Sequence, residues 1–139
     1  RKFHFMMLEE QLRKNWYFNY SGGFSIRKMS RSMLETIEYT AELLNDSNNL
    51  ILIFPQGKIQ SIYNQEFVFE KGTEKILQKT NGSVQIVLLA SFIEYLSHPK
   101  PTLYIYLEEF SGKYNTAEME SAYNRFYRNA IDTQKQISD

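Results

Sequence analysis

Leu50-Ile51-Leu52-Ile53-Phe54-Pro55-Gln56-Gly57-Lys58-Ile59-Gln60-Ser61 is the stretch whose reading decides the fold. Five apolar residues in a row, two of them β-branched Ile, predict a strand buried on both faces, and Pro55-Gln56-Gly57 stops it abruptly. The loop leaving the carboxyl end of such a strand is the usual ligand position in an α/β sheet, so Pro55 to Ser61 is the first place to look for chemistry. A strand followed by Pro-x-Gly is also an ordinary turn. Gly57-Lys58 invites a phosphate-loop reading, which fails because that loop needs a second glycine five positions earlier, where Leu52 stands.

Upstream, Lys2 to Leu8 (KFHFMML) reads as a strand and Glu9 to Lys14 (EEQLRK) as a short charged helix. The aromatic run Trp16-Tyr17-Phe18 leads into a turn at Ser21-Gly22-Gly23, where glycine permits unusual backbone angles or a close approach of something to the chain. Phe24-Ser25-Ile26 is then a short extended piece ending at Arg27-Lys28. Ser30 to Asn45 predicts a helix, with a Ser32/Glu35 capping box and an apolar face of Met33, Ile37, Ala41 and Leu44 that feeds the Leu50 strand as the central one.

Downstream, Phe67 to Gly72 precedes a helix from about Thr73 to Lys79, Asn81-Gly82 turns, and Val84 to Ala90 is expected to be a second buried strand. Strand, helix and strand at that spacing signal a βαβ unit. Leu103 to Leu107 is β-rich, and a helix from Asn115 to about Gln136 carries an apolar stripe through Met119, Ala122, Tyr123, Phe126, Ala130, Ile131 and Ile137, suited to packing on a sheet. The expected class is α/β, a mixed, mostly parallel sheet flanked by helices in one domain spanning residues 1–139. A chain that opens on a core strand is expected to lack an upstream piece.

Lys plus Arg balance Asp plus Glu at sixteen each, so the basic excess of a nucleic-acid binder is missing and no nucleic-acid partner is expected. With no cysteine there are no disulfides and no thiolate metal sites. No apolar run approaches the ~20 residues of a membrane-spanning helix. Ten Phe, ten Tyr and one Trp make an aromatic domain, in which large rings fill a core and hydroxyls sit at its edge. Trp16, Tyr17 and Phe18 are the candidates for peripheral contact with a membrane, with a core role as the alternative.

Three pieces in order, GGFSIRK at 22 to 28, IFPQGKIQS at 53 to 61 and FEKG at 69 to 72 opening a helix, resemble the glycerophospholipid acyltransferases, the lysophosphatidate-acyltransferase-like superfamily. The resemblance covers roughly residues 1 to 110 and implies a glycerol-3-phosphate acyltransferase-like fold. It implies transfer of a fatty acyl group from an acyl-CoA or acyl-carrier-protein thioester to a glycerolipid hydroxyl such as that of lysophosphatidate, with no cofactor. It further implies a cytoplasmic location, peripheral on the inner face of the cell membrane.

The family's first block, His-x4-Asp, supplies the general base, and it precedes the strand matched to residues 2 to 8, so these 139 residues hold no catalytic group and are expected to be inactive alone. His4 and Glu9 imitate that spacing, but in a strand positions five apart face opposite sides, and a satisfied strand histidine is the better reading; His98, in a loop, is no stronger. The resemblance makes Arg27, Phe54, Pro55, Gln56, Gly57 and Lys58 the acceptor-binding residues. Arg27 would supply a forked guanidinium, Gly57 a backbone N–H and Lys58 a second cation, while Gln56 would bond the glycerol.

Departures exist. Gln56 replaces the family's Glu, Lys58 its Thr and Ile59 its Arg, and the later Val-Pro pair is absent, with Val84-Gln85 and Val87-Leu88 standing instead. The acceptor is therefore open among lysophosphatidate, an amino-acid lipid, a glycolipid and other hydroxyls. The alternative function is a degenerate, non-catalytic acyltransferase fold that binds lipid or protein. A plain nucleotide-binding domain lacks its glycine-rich loop.

Overall fold

The computed structural model describes residues 2–26, 31–61 and 63–138, without the side chains of Asn19, Ile26, Arg31 and Ser32. It contains helices and strands in a mixed α/β arrangement, divided into two compact units. One unit comprises residues 1–59 and 68–84, the other residues 60–67 and 85–139.

In the first unit, β1 (Lys2–Leu8) runs between β2 (Gly23–Ile26) and β3 (Asn49–Leu52), all three parallel. Helix α1 (Glu9–Lys14) and a 3₁₀ segment (Trp16–Ser21) form the crossover from β1 to β2, and α2 (Arg31–Leu44) the crossover to β3. Parallel neighbours require such crossovers, since a tight hairpin joins only antiparallel strands. The helical face predicted for α2 is the packed one: Ile37 and Ala41 join Met6 and Ile76 in a buried cluster, with Phe24, Met33, Leu44 and Ile53 partly buried against it. Thr40 is also buried on this side and donates its hydroxyl to Thr36 O at 2.6 Å, which satisfies it inside the helix. The Ser32 cap lies outside the described residues.

Two expectations for the Leu50 strand are corrected. Within this sheet β1 is the central strand and β3 an edge, and β3 is not buried on both faces, since Leu50 remains 57% exposed. An apolar run records a preference for burial but not the number of neighbours, and here only the face carrying Ile53 meets the α2–α3 cluster. Helix α3 (Gly72–Lys79) follows the FEKG segment as expected and ties to α2 through Lys79–Glu38 at 2.8 Å and through the Asn81 N–H donating to Asn45 Oδ1 at 2.9 Å.

The second unit is a hairpin, β4 (Ile86–Glu94) antiparallel to β5 (Thr102–Phe110), covered by α4 (Thr116–Gln134). Among the described residues β4 pairs with β5 only, so the βαβ unit expected from the spacing of the second buried strand is replaced by two separate sheets. Both strands run longer than predicted because their nine-residue register carries the ladder from Ile86–Phe110 to Glu94–Thr102. Burial alternates: Leu88 and Ala90 are buried while Val87, Leu89, Ile93, Leu103, Ile105 and Leu107 are exposed, so β4 is one-sided rather than a fully buried strand.

Helix α4 presents Met119, Ala122, Phe126 and Ala130 to its buried side, as its stripe predicts. Asn115 caps it by accepting the Glu118 N–H at 2.9 Å, and Glu118 in turn accepts the Lys113 N–H at 2.9 Å. Tyr123 donates to Leu89 O at 3.3 Å, and burial, with the neighbouring Tyr127 adding, pushes its hydroxyl up to about 12. Below the ordinary tyrosine value of 10 the hydroxyl keeps its proton folded or unfolded. As pH rises from there to about 12, the unfolded chain releases the proton and the folded one holds it, so stability falls across that window. Denaturant midpoints measured across the same range should decline, and Tyr123→Phe should flatten the decline; an unchanged slope in that variant would refute the assignment.

Candidate functional site

The predicted binding loop is built on β3. Leu52 ends the strand, and Phe54-Pro55-Gln56-Gly57 closes a β-turn in which the Gly57 N–H donates to Phe54 O at 3.1 Å. Proline at the second position and glycine at the fourth are the residues this turn favours, and Gly57 takes a left-handed φ of 56° that a side chain would strain. Gln56 is half-buried, while Phe54, Lys58 and Ile59 are exposed.

The turn does not stand alone. The Glu70 N–H donates to Pro55 O at 2.8 Å, which fastens the FEKG segment to the turn and sets the start of α3, two residues on, beside it. In that first helical turn the Thr73 hydroxyl is buried with no hydrogen-bond partner among the described residues. Helix amino ends carry partial positive charge, so this end of α3 favours an anion.

Arg27 lies outside the described residues, but the strand that delivers it does not. β2 ends at Ile26, level with Leu8 of β1, and β3 reaches Leu52, level with Phe5 of the same strand. All three strands point the same way, so β2, which carries the GFSI part of one resembling piece, and β3, which leads directly into another at Ile53, end on one side of the sheet, with β1 between them at strand spacings of ~5 Å. Of the sequence-predicted residues, the structure groups Phe54, Pro55, Gln56 and Gly57 in one turn, with Lys58 directly after it.

His4 sits in the middle strand beside Ile51, as a strand histidine should, yet it is not a satisfied one: its Nε2 is buried and no described group bonds it. Glu9 opens α1 and, half-buried, meets the exposed Arg13 at 2.8 Å at helical spacing, so the apparent His-x4-acid pattern is split between a strand and a helix. His98 lies just beyond β4, its N–H donating to Tyr95 O at 2.8 Å. No group of three or more His, Cys, Asp or Glu among the described residues could hold a metal ion, and no described helix is long and apolar enough to cross a membrane.

The second unit contains features the sequence did not announce. Asn124 clamps the backbone of Phe67, accepting its N–H at 2.8 Å and donating to its carbonyl at 2.9 Å. Above it, Phe92, Tyr127, Ile131 and Gln134 line an open cavity of about 240 Å³, where Tyr106 donates to Gln134 Oε1 at 2.9 Å. An Asn inside an otherwise regular helical pattern is the one sequence signal that could have flagged the clamp.

Comparison of the chain with protein-family models, with curated proteins and with solved structures found no match.

Proposed function

We propose that the protein belongs to an acyltransferase of the glycerol-3-phosphate acyltransferase-like fold, moving a fatty acyl group from an acyl-CoA or acyl-carrier-protein thioester to a lysophosphatidate-like hydroxyl. The single observation that supports the reading is the 2.8 Å hydrogen bond from the Glu70 N–H to Pro55 O, which joins two of the three resembling segments in one place at the carboxyl end of β3. Arg27 and Lys58 would hold the acceptor phosphate and Gln56 its glycerol oxygens, whereas the Gly57 N–H expected to join them is engaged instead by Phe54 O at 3.1 Å, because it closes the turn. The chemistry would be attack of the acceptor oxygen on the thioester carbon, with a base taking the hydroxyl proton, the thiolate leaving and the base passing the proton on to it.

Calorimetric titration with lysophosphatidate and with its dephosphorylated monoacylglycerol tests the phosphate site. Arg27→Ala should weaken binding of the phosphorylated lipid by roughly 1.5–3 kcal/mol, the range for a hydrogen bond to a charged group, and leave acyl-thioester binding nearly unchanged. Equal affinity for the two lipids in the unaltered chain would overturn the phosphate site.

Gln56 and the absent Val-Pro pair favour a second reading, a non-catalytic relative that binds lipid or protein. Retention of lipid affinity without acyl transfer by the complete gene product would select it.

A further inference from the structure

We infer that the α1–3₁₀ corner of the first unit is a shallow anchor for a phospholipid bilayer bearing anionic headgroups. The 3₁₀ segment holds Trp16 67%, Tyr17 51% and Tyr20 84% exposed, and Trp16 meets Tyr20 edge to face at 5.9 Å. Three large rings left outward within five consecutive residues would be costly in plain water. Indole and phenol have an apolar body and a polar tip, the combination that settles at the headgroup level of a membrane.

The platform beneath them is fixed. Phe18, the third ring of the expected membrane trio, is turned inward: it packs on Phe5 of β1 at 5.4 Å and on Tyr17 at 4.5 Å, so it supports the surface instead of forming it. Tyr17 is held further by its hydroxyl donating to Asn15 Oδ1 at 3.1 Å.

Charge chooses among occupants. Helix α1 has Glu9 and Glu10 in its first turn and Arg13 and Lys14 in its last, so its basic end is the one that adjoins Trp16. Arg13 shares its charge with Glu9, which leaves Lys14, two residues from the indole, as the main cation of α1 among the described residues. An aromatic cluster beside a basic turn complements anionic lipid better than an apolar protein groove, which would meet the rings without using the charge. The inference is independent of acyl transfer, since any anionic bilayer serves and the lipid bound need not be a substrate.

Trp16 is the single tryptophan of the chain, so its fluorescence reports this corner alone. Vesicles of phosphatidylcholine with phosphatidylglycerol should shift its emission to shorter wavelength and, when the lipids carry bromine near the headgroup, quench it. Pure phosphatidylcholine should do so more weakly. In vesicle sedimentation Tyr20→Ala should lower partitioning several-fold to both vesicle types, and Lys14→Glu should lower it only for the anionic ones. Absence of any shift overturns the inference, as does a blue shift that grows with protein concentration without vesicles, which would make a second copy of the chain the occupant. Acyl transfer is not read in any of these measurements, so either proposal can fail without the other.

Discussion

Incubated by themselves with an acyl thioester and lysophosphatidate, residues 1–139 are expected to transfer no acyl group above the uncatalysed rate. A positioned general base is worth about 10²–10⁴ in rate. The described residues offer two histidines for that role: His4, in the middle strand of the parallel sheet with its Nε2 buried and without a described partner, and His98, in the loop after β4; the acid that follows His4 at the family's spacing, Glu9, is paired with Arg13 in α1. The check is radiolabelled product formation by the chain alone and by the complete gene product. Robust turnover by the chain alone would remove the argument for an external base and return attention to His4.

The largest expected stability effect belongs to Gly22. Its φ of 88° is in the left-handed region, and a Cβ there would sit 2.3 Å from the Phe3 carbonyl oxygen, a backbone atom that cannot swing away. The left-handed conformation alone costs an L-residue roughly 1–2 kcal/mol, and the collision must be relieved by parting the 3₁₀ segment from β1. Gly22→Ala should therefore lose more than ~2 kcal/mol of unfolding free energy, among the large single-site effects. Gly82→Ala is the control, with nothing within 4 Å of its added carbon and no positive φ. It should change stability by less than ~1 kcal/mol, in the stabilising direction if at all. Similar losses at both glycines in urea titrations would contradict this account of Gly22.

The same glycine shows how far local pattern carries. The sequence marks Gly22 and Gly23 as a place where the backbone needs freedom, and the Lys2–Leu8 strand, the α1 helix and the α3 helix stand within a residue of their expected limits, because charge runs, turn residues and periodicity are local signals. Which strand is central is not local. Leu50 to Phe54 and Lys2 to Leu8 are both apolar enough to be buried, and the choice depends on crossovers that place β1 between its two partners. The pairing of β4 with β5 is likewise set by the connection at residues 95–101 and the long matching register, which the shorter predicted strands did not expose. For the site, the turn at Pro55 was legible from its residues, whereas its fastening to Glu70 is a contact between backbone atoms that no side-chain pattern encodes.

The central position of β1 bears on how the molecule is made. Its partner residues for Lys2 to Phe5 are Asn49 to Leu52, so β1 leaves the ribosome well before β3 and waits for it before its second edge is paired. At synthesis rates of about 5–20 residues per second, that wait lasts seconds, while a hairpin such as β4–β5 closes in ~1–10 μs once both strands are out. During the interval Phe3, Phe5, Met6, Met7 and Leu8 present an apolar edge of the kind that chaperones capture and that seeds aggregation. Slowing translation between Ile26 and Asn49 should therefore lower the soluble yield, and slowing it between Glu94 and Thr102 should leave the yield unchanged.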